Sequence, residues 1–276
     1  MRDKVIITAA LTGAVTPKEK NPNVPITPEE IAEDAYKCYQ AGASIVHIHM
    51  RDDEAQGTMD KERFRKTAEL ISAKCDVIIN MTTSGDHRAS DEERMAHVAE
   101  LEPEMASFDA GSFNWMPAGV FMNSPQFLNK LGKVMIEHNV KPELEIFDTG
   151  MIHISEYYLK KEVLKAPLHF QFVLGVLGGA QATVKNLVNM VELIPEGSTW
   201  SAFGIGKSHL PIMYATVALG GHVRVGLEDN IYYAKDTLAS NVSLVERAVR
   251  VIREADKDVA SPADARQVLG LQGKKY

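Results

Sequence analysis

"TPEEIAEDAYKCYQAGASIVHIHMRD", residues 27–52, holds the two textures from which the whole chain is built. Its first half carries helix signals. Thr27 stands where an N-cap belongs, Pro28 takes the first helical position, Glu29 and Glu30 fill the first turn, and Gly42 follows the end. Its second half is short, β-branched and alternating, which reads as a strand. The alternation places His47 and His49 on one strand face and Ile48 and Met50 on the other. Two imidazoles gathered on one side call for a metal or for another polar task.

The same exchange of strand and helix recurs outward from this segment. Strand-like runs are read at 5–11, 45–51, 77–83, 105–111, 143–149, 170–176, 200–206 and 223–229. Helical spacing fills the stretches between them, as in "DEERMAHVAEL", "SPQFLNKLGKVMIEH" and "DTLASNVSLVERAVRVIREA". About eight strand–helix units predict an α/β fold of the (β/α)8 TIM-barrel kind, which typically needs about 250 residues. Six strands would have favoured an open, doubly wound sheet. No Pro-, Gly- or Ser-rich linker interrupts residues 1–276, so a single barrel domain is expected. The loop over residues 16–27 follows the first strand and is expected to fold over the barrel mouth. The segment after residue 256 reads as a last helix and a loose end.

Bulk properties narrow the function. Hydrophobic residues make up 45% and charged residues 24%, the balance of a soluble globular protein. A net charge of −7 argues against a nucleic-acid partner. No apolar run reaches the ~18 residues that a membrane helix needs, and the first residues lack a secretory signal pattern. A cytoplasmic location is expected. Cys38 and Cys75 are far apart and form no C-x-x-C, so any metal must be sought among His, Asp and Glu.

Several strand ends are rich in polar or small residues, and barrel enzymes keep their chemistry at that rim. His47 and His49 at the end of strand two suit Zn²⁺. Glu228, at the end of strand eight, is the candidate third ligand, because strand eight closes the barrel beside strand one. Hydrogen bonding to rim carboxylates without a metal is the plainer alternative. In "VRVGLEDN", residues 223–230, Arg224 and Glu228 share strand parity, and Asp229 stands where the strand gives way. Asp229 is a candidate general base beside Arg224, and a structural ion pair is its alternative. Glu143 and Glu145 share a face of strand five, with Glu145 nearer the rim; Asp148 reads as a helix cap. "NMTTSG" (80–85) and "ASFDAGS" (106–112) end strands in hydroxyls that suit a carboxylate or carbonyl. "GVLGGAQAT" (175–183) and "FGIGKSHLP" (203–211) place glycines between strand and helix, where they could cradle a phosphate or simply make tight turns. "GIGKS" does not match the nucleotide P-loop pattern. His87, His97, His138, His153, His169, His209 and His222 show no partner spacing and read mostly as surface or capping residues.

Taken together, "TAALTGA", "VHIHMRD", "NMTTSG", "PELEIFDTGM", "GVLGG", "WSAFGIG" and "GGHVRVGLEDN" resemble the bacterial beta-keto acid cleavage enzymes over nearly the whole chain. The resemblance implies a zinc-bearing TIM barrel, with one Zn²⁺ per chain, that condenses a β-keto acid with acetyl-CoA. Acetoacetate and a new acyl-CoA are the implied products. It places the metal ligands on His47, His49 and Glu228, the catalytic aspartate on Asp229 and its arginine partner on Arg224. The supporting glutamate falls on Glu145, with Glu143 as rival, and substrate hydroxyl contacts fall on Thr83 and Ser107. A homotetramer is implied as well. One departure stands out. The family's type member, which acts on 3-keto-5-aminohexanoate, carries a glutamate for the substrate ammonium where this chain has Val15. Valine leaves a buried ammonium unpaired, so a neutral or apolar β-keto acid is expected. The rival reading is a zinc-dependent hydrolase of the amidohydrolase kind, which also uses H-x-H but adds histidines after strands five and six.

Overall fold

The computed structural model describes residues 3–276. Eight parallel strands form the closed barrel: β1 (Ile7–Ala10), β2 (Ile45–Ile48), β3 (Ile78–Met81), β4 (Met105–Asp109), β5 (Lys141–Ile146), β6 (His169–Leu174), β7 (Thr199–Gly204) and β8 (His222–Val225). Each pairs with its sequence neighbours, and β8 closes onto β1 through Val223↔Ile7 and Val225↔Ala9. The intervening helices are α1 (Pro28–Ala41), α2 (Lys61–Ser72), α3 (Asp91–Leu101), α4 (Pro125–Glu137), α5 (Thr149–Lys160), α6 (Val184–Leu193), α7 (His209–Ala218) and α8 (Asn241–Glu254). The fold is the TIM barrel that the alternation predicts.

The helix ends follow local chemistry. Thr27 and Glu30 form a reciprocal capping box that opens α1, and Gly42 takes φ +120 at its end. Asp148 caps α5 by accepting from the Gly150 N–H at 2.8 Å, as expected. Apolar strand residues facing outward, such as Val46, Ile48 and Ile79, pack with Ile31, Phe64 and Ile71 from the helices. A second cluster on the opposite side gathers Phe108, Phe170 and Phe172 with Phe127 and Leu131. Burying side chains of this size stabilises by ~1.5–3 kcal/mol each.

The end of the chain is not loose. Asp258–Val259 pairs in parallel with Lys4–Val5, and α9 (Pro262–Leu269) closes the bottom of the barrel. Ala260, Ala265 and Leu269 cover Ile6, Ile45, Ile78 and Met105 at or beside the strand starts. Arg266 grips Glu104 with two hydrogen bonds of 2.8 and 2.9 Å. The last helix is there as the sequence suggests; Ala265 and Leu269, four positions apart on it, are what dock it.

The reading of the unpaired histidines as surface or capping residues holds for exposed His87 and His153 and for His138, which ends α4, but fails for three others. His97, His169 and His222 are buried. His97 stacks on Phe64 at 4.2 Å, and burial drives its pKa down to about 3. His169 and His222 lie at the bottom of the barrel, where His222 Nδ1 accepts from the Ile6 N–H. A neutral imidazole fits an apolar interior better than its polarity suggests.

Candidate active site

At the opposite, C-terminal end, polar side chains converge. His47 is the third residue of β2, and His49 is the first residue beyond it. The expected strand to residue 51 stops at Ile48, because Met50–Arg51 leaves to form a small hairpin with Gly57–Thr58. The imidazoles still share a side, with ring centroids 5.1 Å apart.

Glu228 arrives by a different route from the one that strand parity suggested. β8 ends at Val225, and a turn through Gly226 carries Glu228 and Asp229 back toward the barrel axis. Gly226 has φ +150, and a Cβ there would meet the Ala10 carbonyl oxygen at 2.0 Å. Only glycine lets the turn pass so close to β1. The Glu228 N–H then donates to the Ala10 carbonyl at 3.2 Å. Gly13 is tight for the same reason, since its Cβ would stand 2.8 Å from Glu228 Cγ.

The result is a compact donor set. Glu228 Oε1 lies 3.4 Å from His49 Nε2 and 3.6 Å from His47 Nε2. One ligand atom from each of the three residues fits within 4.8 Å of the others. Nδ1 of both rings and Oε2 of Glu228 are buried without a hydrogen-bond partner among the described residues. The orphaned Glu228 Oε2 is costly unless something binds it, and two histidines whose Nε2 atoms face one glutamate suit a divalent cation with an open position. Burial drives the His47 pKa well down, so the ring is a neutral donor. Burial pushes Glu228 up, but neighbouring His49 and the Arg224 guanidinium outweigh it and hold the carboxylate well below its usual range.

Arg224 organises the acids. Its Nε and Nη2 hold Asp229 with two bonds of 3.0 Å, Nη2 also donates to Glu228 at 2.6 Å, and Nη1 donates to Glu145 at 2.8 Å. Its guanidinium lies over the Phe203 ring at 4.7 Å. Glu145 is thus the strand-five carboxylate on the arginine. Glu143 lies deeper, 3.8 Å from Arg224, and accepts from Asn80 Nδ2 at 2.6 Å. Burial raises Glu143 to about 7 and raises Glu145 well above the usual range. Burial also raises Asp229 to about 6, against the pull of Arg224. A carboxylate with that value can exchange a proton near neutral pH.

Thr83, just beyond β3, meets Ser107 at the middle of β4. The Thr83 N–H donates to Ser107 Oγ, and the Thr83 hydroxyl donates to the Ser107 carbonyl, both at 3.0 Å. Val15 does not enter this network; it lies on the loop after β1 and is 72% exposed. That loop follows the mouth. Asn21 donates to the Ile231 and Ala239 carbonyls at 3.0 and 2.9 Å.

Four further residues of the rim were given no individual role from sequence. Arg51 donates to the Gly13, Thr16 and Ala55 carbonyls and fastens the first loop. Arg94 of α3 is buried, donating to the Thr83 carbonyl and to Ser84 Oγ at 2.7 Å each. Ser84 in turn donates to Asp109 at 2.5 Å, and Asp109 is paired in register with Glu145. The "GVLGG" glycines serve close packing. A Cβ on Gly178 or Gly179 would strike the Asn114 or Phe147 carbonyl oxygen.

Chemistry gathered at the C-terminal mouth of a closed parallel barrel marks the chain as a TIM-barrel enzyme. Comparison with known proteins gives the family. The model of the beta-keto acid cleavage enzymes matches residues 4–271, and the chain belongs to that family. A 3-keto-5-aminohexanoate cleavage enzyme of Fusobacterium nucleatum is 48% identical over 99% of this chain and 100% of its own length. A 3-oxoadipate:acetyl-CoA acetyltransferase of Cupriavidus necator is 34% identical over 98% of this chain and 96% of its own. The solved apo structure of ObcA has the same fold, with TM-score 0.81 over 91% of this chain and 66% of that one at 20% identity. The chain is accordingly an enzyme of transferase type that cleaves beta-keto acids.

Proposed function

We propose that this enzyme condenses a β-keto acid with acetyl-CoA and releases acetoacetate and a new acyl-CoA. The observation that carries the reading is the Arg224 fork, which fixes Asp229 beside the His47, His49 and Glu228 group. Zn²⁺ is the proposed resident metal; His47, His49 and Glu228 would hold it, and it would supply Lewis acidity toward the substrate. Asp229 takes a proton from C2, the carbon between those groups. Arg224 keeps the carboxylate aimed, and Glu145 anchors Arg224 from the other side. Ser107 Oγ accepts from the Thr83 N–H, and its own proton is proposed to serve a substrate oxygen.

The atoms balance in two exchanges. C2 attacks the acetyl carbonyl carbon, and the CoA thiolate leaves. The thiolate then attacks C3 of the adduct, the C2–C3 bond breaks, and C2 regains the proton from Asp229. No metal need change oxidation state.

The proposed substrate has no cationic group opposite Val15, because valine supplies no carboxylate to pair with an ammonium there. Competition between 3-keto-5-aminohexanoate and 3-ketohexanoate tests this, and preference for the amino compound would overturn it. Relatives named for the amino substrate make Val15→Glu the informative variant. The activity itself is tested by incubating the zinc-loaded enzyme with acetyl-CoA and a panel of β-keto acids and measuring acetoacetate. No acetoacetate from any acid refutes the proposal. Hydrolysis of an amide or lactone without CoA would favour the amidohydrolase alternative, which suffers from His169 lying at the start of β6, away from the mouth.

A further inference from the structure

Beside the mouth, outside the residues just described, lies a cationic cluster with no anion to match it. Arg247 of α8 lies flat over the Tyr233 ring, its guanidinium carbon 3.3 Å from the centroid. Its Nη1 donates to His209 Nε2 at 3.3 Å, which places the ring proton on Nδ1. Arg250 Nη2 donates to the Tyr233 hydroxyl at 2.9 Å. Among the described residues, neither arginine has a carboxylate within ion-pairing distance. Other arginines here are spent: Arg51 on carbonyls, Arg224 and Arg266 on carboxylates. Exposed Lys207 stands two positions before His209, and exposed Lys235 two positions after Tyr233. α7 begins at His209 without a side-chain cap, its first N–H donating back to the Gly206 carbonyl of the preceding turn.

The location narrows the ligand. His209 follows β7, and Tyr233 follows β8, the loops that most often bind phosphate in TIM barrels. Arg247 and Arg224 line one narrow cavity of about 10 Å³, shared with Phe203 and Asn230, so the cluster backs directly onto the catalytic arginine. Tyr233 is only four residues from Asp229, which limits their Cα separation to about 14 Å. A stacked guanidinium is already oriented, so little further order is lost when a phosphate takes its fork.

We propose that Arg247 and Arg250, with Lys207 and Lys235 beside them, bind the phosphate groups of the CoA thioester, leaving the pantetheine arm to span the distance to Asp229. This rests on the acetyl-CoA reaction proposed above, and the experiment separates the two. Wild type, Arg247→Ala and Arg250→Ala are compared with acetyl-CoA and with S-acetylpantetheine, which lacks the nucleotide phosphates. Binding of adenosine 3′,5′-bisphosphate is measured calorimetrically, without turnover.

Each variant is expected to raise KM for acetyl-CoA about ten- to a hundred-fold, the usual cost of a lost charge-assisted hydrogen bond. The preference for acetyl-CoA over the truncated thioester should fall by the same factor, and the bisphosphate should bind correspondingly more weakly. Arg250 is exposed, so its variant keeps the test valid if removal of Arg247 disturbs α8. Unchanged bisphosphate binding in both folded variants, or equal losses on both thioesters, overturns the phosphate site. Bisphosphate binding that depends on the arginines in a wild type that yields no acetoacetate supports the site and refutes the reaction.

Discussion

Arg224→Met is the sharpest test of how the rim is held together. The guanidinium is 2% exposed and lies within 3.0 Å of oxygens from Glu145, Glu228 and Asp229, with Glu143 at 3.8 Å. Methionine fills similar space but removes the only cation touching these acids among the described residues. Breaking a buried ion pair costs ~3–5 kcal/mol, because the surviving charge is left in a poor solvent. At ~2.1 cal/mol/K per residue, a 276-residue chain loses roughly 1.7 °C per kcal/mol, so the melting temperature should fall by about 5–9 °C. The assay is thermal and urea unfolding of chelator-treated protein, so that the effect reads the protein's own charges. Its pH dependence has a definite sign. Burial already raises Asp229 to about 6 and Glu143 to about 7, and losing Arg224 raises both further. An acid with a raised folded pKa binds protons more readily when folded. Its neutral form therefore favours the fold at low pH, and that stability is lost as pH rises through the folded value. The deficit of the variant should be largest near pH 8 and shrink toward pH 5. A loss below about 1 kcal/mol at every pH would refute Arg224 as the neutralising centre.

Other expectations follow from the same geometry. His49→Ala should lose both bound zinc, read by metal analysis after dialysis, and acetoacetate formation, while Asp229→Asn should keep the metal and lose turnover; activity retained in either contradicts its role. His97 should make the protein acid-sensitive, since its pKa falls to about 3 when folded and rises toward 6.5 when unfolded. The unfolded chain then binds the extra proton, so stability present above pH 6.5 declines by about 1.4 kcal/mol per pH unit down to the folded value. His97→Leu should flatten urea midpoints over that window, and an unaltered slope would show that another group is responsible. Gly226→Ala should cost at least about 2 kcal/mol through strain at positive φ, with its Cβ also driven onto the Ala10 carbonyl; a near-neutral melting temperature would show that the turn relaxes.

What was legible in sequence depended on how local the cause was. His47 and His49 turn to one side because two residues of extended chain alternate, and this holds even though the barrel strand ends at Ile48. Glu228 was found by its place at the end of the eighth strand, but the parity argument linking it to Arg224 fails, since Gly226 breaks the strand between them. Glu145 outranks Glu143 because a layer of barrel interior separates them, and strand position carries that information. Arg94 carried no comparable signal, and Asp109 and Asn80 stood out only as members of polar strand ends. Each depends on a residue more than ten positions away: Thr83, Glu145 and Glu143. The buried histidines show the same limit from the other side. Whether an imidazole is a surface group or a neutral stacking partner is decided by Phe64 or by the strand that lies beneath it, not by its neighbours in the chain. The cationic cluster joins both cases. The loop after β7 was noticed for its glycines, yet the charge that makes it a candidate phosphate site comes from α8, some forty residues later, and from a tyrosine that fixes the guanidinium in place. A closed barrel makes such assembly predictable in position but not in membership: every loop after a strand meets at one mouth, and which side chains face one another there is settled by the turns.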